Sequence, residues 1–488
     1  METRKKVGFI LGPVVFLFLY FSPILRDNPK AHSLLAIFSL IVIFWVTECI
    51  PIPITALMVP ILITMFGVTP AAEAFAPFAN PIIMLFLGSF ILARAMVVHS
   101  LDQMLAHSIL TSKIIARKGT RILFAMGLIT MFLSLWISNT ATTAMIYPIA
   151  LGMMDAFKSR EGQAKYSSAG IYFLLSIAYA ASIGGIGTPI GSPPNLIAIG
   201  MLERLADYRV TFFQWMLMGL VILIPMYLVL FLYVRIRMKK SVSLEKVDIS
   251  SLTLPQENSG LTRAQINVLI AFSVTVFLWI LPGFVSLIWG REAPVYLWFR
   301  SHLPEAVAAI IGACLVFFLP VNRKKGRFTL PLKEAMNVDW GTLLLFGGGL
   351  SMGFQMFETG LAEAIGNFFI SLGGADAGIG LISLLAITLT VFLTELTSNT
   401  ASANMVIPII IAISQSAGIN PLPPVLGSAI GCSFAFMLPV ATPPNAIVYG
   451  SGLIQLPQMM RFGFLLNIAG IAVIWLGVTV FLPLLGLF

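Results

Sequence analysis

Two short runs offer hydrogen-bonding groups where their neighbours offer none. Ser138, Asn139 and Thr140 sit in WISNTATTAMIYPI, and Ser398, Asn399 and Thr400 sit in ELTSNTASANMVIPI. Hydroxyls and amides both donate and accept without carrying a fixed charge. Their donors suit an anion, and their oxygens suit a small hard cation. No Lys, Arg, Asp or His occurs inside either run, and Glu395 is the only acidic residue close by. A permanent positive charge would hold an anion tightly and oppose its release. Neutral donors make its affinity depend on cations bound beside it. Each run therefore reads as a neutral clamp. For Thr142 and Thr143 a hydroxyl bonded back to its own helix is a reasonable alternative.

The environment of these runs follows from composition. The chain has 488 residues, 58% hydrophobic and 10% charged, with mean hydropathy +0.96. A soluble domain carries about 25% charged residues, so an all-α polytopic membrane protein is expected. The first apolar stretch, after Arg4, Lys5 and Lys6, has no small-x-small cleavage site and reads as a retained span. Cys49, Cys314 and Cys432 lie in apolar segments and read as buried packing residues rather than disulfide partners. The histidines (32, 99, 107 and 302) lack ligand spacing, so no transition metal is expected. LFGGGLSMG, 345–353, lacks the lysine of a phosphate-binding loop. With no nucleophile and base near either run, an enzyme is not expected. Nor is an organic cofactor or a nucleic-acid partner.

Apolar segments fall at about 7–25, 34–49, 51–67, 81–110, 122–156, 168–203, 212–235, 264–289, 303–320, 340–372, 381–417, 424–455 and 462–487. Treating 122–156 and 381–417 as re-entrant hairpins leaves about 11 transmembrane helices. With the N-terminus inside, 22 of the 29 Lys and Arg then fall on cytoplasmic segments, as positive-inside asymmetry requires. The C-terminus falls outside. The first hairpin lies between basic loops, TSKIIARKGTR and KSREGQAK, whereas GGADAGIG and GINPLPPV around the second contain no Lys or Arg. The two hairpins are therefore expected to face opposite sides, which points to an inverted repeat.

Register supports the repeat. An offset of 260 pairs Asn139 with Asn399, Met145 with Met405 and Pro148 with Pro408. It also pairs Phe86 with Phe346, Gly88 with Gly348 and Leu101 with Leu361. The expected organisation is an N-terminal span and loop (1–33), a first repeat (34–235) with a cytoplasm-facing hairpin, a polar cytoplasmic linker (236–263), and a second repeat (264–488) with an outside-facing hairpin.

A second duplicated element follows each hairpin: GGIGTPIGSPPNLIAIG at 184–200 and FMLPVATPPNAIVYG at 436–450. Proline removes an N–H and clashes with the preceding turn, and glycine weakens a helix, so both spans should break near their middles. Broken helices expose carbonyls that suit cations and N–H groups that suit anions. An isolated Pro-Pro could be a packing kink; a matched pair beside two polar hairpins argues for a site.

SFAFMLPVATPPNAIV, 433–448, with Ser433, Phe436, Pro439, Ala441, Asn445 and Val448 at the required spacing, resembles the signature of the divalent anion/sodium symporter family. The resemblance covers nearly the whole chain. It implies sodium-coupled symport of a dicarboxylate, citrate or sulfate across the plasma (cell inner) membrane, by a homodimer of scaffold and elevator-type transport domains. By the same resemblance, one sodium site would use Ser134, Ser138, Asn139 and Gly187. The other would use Thr394, Thr397, Asn399, Ala441 and Pro443, several through backbone carbonyls. Substrate carboxylates would meet Ser138, Asn139, Thr140, Thr188, Ser398, Asn399, Thr400 and Thr442. A dicarboxylate of the succinate, malate or fumarate type is the expected substrate class. A sodium-independent dicarboxylate exchanger, or a sodium-coupled citrate or sulfate transporter, is the alternative. Glu48 and Glu305 read as helix-end caps or interface residues, and Arg94 as a partner of Asp102 or of a lipid headgroup.

Overall fold

Apolar runs at membrane depth satisfy their backbone groups internally, and a helix does this within one segment. The computed structural model describes residues 3–101, 104, 119–161, 163–239, 260–371 and 378–487, and they are nearly all helical. In the first half, α1 (Thr3–Phe21), α2 (Pro29–Thr47), α3 (Ile52–Met65) and α4 (Pro81–Val98) precede the first hairpin. That hairpin is α5 (Gly119–Ser134) and α6 (Asn139–Glu161). Then come α7 (Gln163–Gly185), α8 (Pro193–Leu205) and α9 (Phe212–Lys239). The second half runs α10 (Arg263–Trp289), α11 (Glu305–Phe318), α12 (Trp340–Glu358) and α13 (Leu361–Phe369). Its hairpin is α14 (Ile379–Leu396) and α15 (Asn399–Ser416), followed by α16 (Leu422–Gly431), α17 (Pro443–Tyr449) and α18 (Leu456–Leu476).

Six described helices are long and apolar enough to cross a membrane, or seven if the pair Pro294–His302 and Glu305–Phe318, bent by 60°, is one span. That is fewer than the eleven expected, and the reason is local. Segment 168–203 is interrupted at 186–192, segment 424–455 at 432–442, and segment 340–372 between Glu358 and Leu361. The first span carries three charges in its first turn, and α3 and α11 have only 14 residues each. Most of the 236–263 linker, and Asp102 and His107, lie outside the described residues. Cys432 is buried, but Cys314 is exposed on α11, contrary to the packing role expected of it.

The packing pairs helices from the two halves in a matching order. α4 packs on α11, and α12 on α3; α5 packs on α7, and α14 on α16. α8 lies against α15 and α16, while α17 lies against α6 and α7. The small residues at the crossings match too. A Cβ on Gly88 would strike the Ala309 backbone, and one on Gly348 would strike the Ala56 backbone, so neither helix pair could approach as closely with a larger residue. Phe86 and Phe346 meet each other, ring centroids 5.7 Å apart at 62°.

Glu48 and Glu305 take the end-of-helix and interface roles expected of them. Glu48 caps α2 in a left-handed conformation, with the Arg4 guanidinium 3.9 Å away. Glu305 opens α11 and pairs with Arg209 at 3.2 Å.

Candidate functional site

Each hairpin turns over at its Ser-Asn-Thr run, because serine before a helix caps it. Ser398 Oγ accepts from Ala401 N at 3.1 Å, and Ser138 Oγ accepts from Ala141 N at 3.3 Å. A hydroxyl five residues before each asparagine then fixes its amide. Ser134 Oγ donates to Asn139 Oδ1 at 2.6 Å, and Thr394 Oγ1 lies 2.7 Å from Asn399 Oδ1. Thr394 Oγ1 is also 2.8 Å from the Cys432 carbonyl. Three oxygens meet there with one hydrogen among them, a donor shortage that a hard cation would relieve.

The broken helices are held open by their own asparagines. Asn195 Nδ2 donates to the Gly185 and Thr188 carbonyls at 2.9 and 2.8 Å. Asn445 Nδ2 does the same to Ala435 and Leu438 at 2.8 and 3.0 Å. Both reach ten and seven residues back, and both leave a buried Oδ1 without a partner. The sequence contained this device as the repeated Pro-Pro-Asn, but nothing in the sequence indicated that the amide spans the break. Ser192 and Ser433 join the two breaks directly, Oγ to Oγ at 2.8 Å.

Between the tips lies a cavity of about 540 Å³. Ser138, Asn139, Thr140, Ser398, Asn399 and Thr400 all line it, as do Ala441, Thr442 and Pro443. Ser134 and Thr394 are fully buried behind the tips, against the asparagine oxygens. Two expected residues do not face the cavity with their hydroxyls. Thr188 donates to the Leu135 carbonyl and accepts from Gly191 N, and Gly191 and Ser192 line the wall in its stead. Thr397 donates to the Trp45 carbonyl of α2 at 3.2 Å. Gly187 is buried, facing the side chains of Leu135 and Leu223. The buried hydroxyls of Thr142 and Thr143 have no partner, so the expected bonds back to their helix are not made.

The facing wall comes from α4 and the start of α12, including Arg94, Asn337 and Asp339. Arg94 pairs with Glu334 at 2.5 Å. Glu395 is buried at 3% exposure, and its two oxygens accept from Met437 N, Leu438 N and Asn467 Nδ2 at 2.8–3.0 Å. Its role is to hold unwound backbone. Among the described residues no group of three His, Cys, Asp or Glu is arranged to hold a metal ion.

The chain is similar to known transporters over nearly its whole length. Residues 4–488 match the family described as the sodium:sulfate symporter transmembrane region. The chain is 36% identical over 479 residues to an uncharacterized transporter of Haemophilus influenzae, covering 96% of each. It is 36% identical over 498 residues to the sodium-dependent dicarboxylate transporter SdcS of Staphylococcus saprophyticus, covering 99% of this chain and 92% of that protein. The solved YdaH transporter of Alcanivorax borkumensis shares the fold, with a TM-score of 0.59 at 15% identity over 99% of this chain and 97% of that one. These relatives are transporters and not enzymes. The chain belongs to the sodium:sulfate symporter family of integral, multi-pass membrane transporters.

Proposed function

We propose that the protein is a secondary transporter that carries a dicarboxylate of the succinate type together with sodium across the plasma (cell inner) membrane. The observation that carries this reading is the single cavity shared by both Ser-Asn-Thr tips, with an oxygen pair or triad buried behind each. Ser138, Asn139, Thr140, Ser398, Asn399, Thr400 and Thr442 would hold the two carboxylates. Ser134, Asn139 and backbone near Gly187 would hold one sodium ion. Thr394, Asn399 and backbone near Thr397, Ala441 and Pro443 would hold the other. Thr188 would act by fixing the first tip through Leu135. Bound sodium supplies positive charge that the neutral tips lack. SdcS of Staphylococcus saprophyticus, at 36% identity, is a sodium-dependent dicarboxylate transporter, which favours this substrate over citrate or sulfate.

The matched packing of α4 on α11 and α12 on α3, and the contact of Phe86 with its own counterpart Phe346, support an inverted repeat. A residue meets its counterpart only where a pseudo-two-fold axis passes between them. We read the hairpins and broken helices as a transport domain that moves as an elevator within a dimeric scaffold. The cavity rim at Asn337 and Asp339 follows the segment with Arg323, Lys324, Lys325, Arg327 and Lys333, which favours a cytoplasm-facing state with the N-terminus inside. Cysteines placed in 158–165 are then labelled only from the cytoplasm and cysteines in 373–380 only from outside; labelling of both from one side refutes the inversion.

The coupling itself is tested by calorimetric titration of succinate at several sodium concentrations, with choline holding ionic strength constant. Sodium and dianion should raise each other's affinity by the same factor, because coupling between ligands is reciprocal. Asn139→Ala and Asn399→Ala each remove a charge-assisted bond worth about 1.5–3 kcal/mol and should abolish sodium-dependent binding. Succinate affinity indifferent to sodium would replace this reading with a sodium-independent exchanger.

A further inference from the structure

The two walls of the cavity differ in charge. The tips offer neutral groups, yet the facing wall carries Arg94, the only basic side chain among the described residues that line it. Arg94 sits one turn before the end of α4 at Val98. One of its terminal nitrogens donates to Glu334 Oε2 at 2.5 Å, while its buried Nε has no partner. The pair is part-exposed, 28% for Arg94 and 38% for Glu334. A guanidinium can grip a carboxylate with two parallel bonds, and this one is held through a single nitrogen. Asp339, also at the cavity, is already engaged: its carboxylate caps α12 through Thr342 N and Thr342 Oγ1.

We propose that Arg94 is a specificity-determining residue of the vestibule: it receives one carboxylate of the dianion as that dianion passes between the tips and water, displacing Glu334, which returns when the dianion leaves. The proposal rests on the dicarboxylate reading above. A dianion leaving neutral clamps for water crosses a region where partial desolvation raises its energy, and a fixed positive charge in the wall offsets that rise. An unpaired arginine would bind the dianion strongly and slow its departure. Glu334, tethered in the same chain, competes as an internal carboxylate and keeps the exchange reversible. The pair thereby favours carboxylates over uncharged analogues of the same shape. Because Arg94 and Glu334 are 240 residues apart, the two meet only in the folded chain.

The two partners are expected to move succinate affinity in opposite directions. In the full-length purified protein, at saturating sodium, Arg94→Gln should weaken succinate binding about fivefold, the upper range for a part-exposed ion pair. Glu334→Gln frees the guanidinium and should tighten binding by a similar factor, with Arg94→Lys falling between wild type and Arg94→Gln. Raising ionic strength with choline chloride should shrink all three differences. If both charge-removing variants weaken binding alike, or neither changes it, the pair is structural and the proposal is overturned. Should Arg94→Gln fail to fold, the opposite shifts of Arg94→Lys and Glu334→Gln carry the test. Wild-type protein that binds no dicarboxylate at any sodium concentration overturns the transport reading as well. Normal wild-type binding with unmoved variants overturns this proposal alone.

Discussion

The two broken helices do the same job with different amounts of backbone. Between α7 and α8 the chain leaves helix over 186–192, seven residues, whereas between α16 and α17 it does so over 432–442, eleven residues. Asparagine spans both gaps with the same reach. The longer gap exposes more N–H groups at membrane depth, where no bulk water takes them up. Glu395 supplies the missing acceptors, holding Met437 N and Leu438 N, and the Asn467 amide anchors that carboxylate from α18. At the 260-residue offset the first half has Leu135, whose carbonyl accepts from Thr188. Duplicated sequence thus fixes the geometry of a tip, while unduplicated residues absorb the difference in how far each helix unwinds.

Removing Glu395 tests this contrast most severely. Glu395→Leu orphans two backbone donors and an amide, each costing about 1–3 kcal/mol, so a loss of at least about 3 kcal/mol is expected. Half-buried Leu135→Ala, its counterpart, should cost about 1 kcal/mol. Thermal unfolding of the detergent-solubilised chain compares the two, and equal losses would erase the asymmetry. A middle-sized effect separates the oxygen clusters. Thr394 Oγ1 meets two acceptors and Ser134 Oγ one. Thr394→Val should raise the sodium concentration for half-maximal succinate binding about tenfold, or ~1.4 kcal/mol, and Ser134→Ala about threefold. The reverse order would mean that the first tip holds its ion more tightly. The smallest change belongs to Thr397→Val. Its hydroxyl serves Trp45, so half-maximal sodium should stay within about twofold of wild type while stability falls by about 1 kcal/mol. A large sodium shift there would put the hydroxyl in the cation site.

Much of this is legible in the sequence. The Ser-Asn-Thr runs and Pro-Pro-Asn runs announced the tips and the breaks, because hydroxyls and prolines stand out against an apolar background. The offset of 260 found Phe86 and Phe346, Gly88 and Gly348, which do sit at matching crossings. What the sequence hid is long-range partnership. Nothing local distinguishes Glu395 as an acceptor for residues more than forty positions on, or Arg94 as a partner of Glu334, 240 positions away. The hydroxyl of Thr397 is equally plausible toward a cation or toward α2, and only packing turns it to Trp45. Hydropathy registers apolar length and is blind to a helix that stops inside an apolar run, so the eleven expected spans are not matched one for one by unbroken helices among the described residues.

Tyr179 carries a consequence for how the protein is made. Its buried hydroxyl, on α7 of the first half, donates to the Phe436 carbonyl, 257 residues further along the chain, at 2.6 Å. At roughly 5–20 residues per second, translation needs about 13–50 s to deliver that carbonyl. For that interval the first half sits in the bilayer with Tyr179 and Ser192 lacking the partners that end their wait. Insertion of the early helices and closure of the site are thus separate events in time. The closing step belongs to the last fifth of the chain, and a ribosome that stalls before Phe436 leaves an inserted half with its polar groups still open to any surveillance that recognises them.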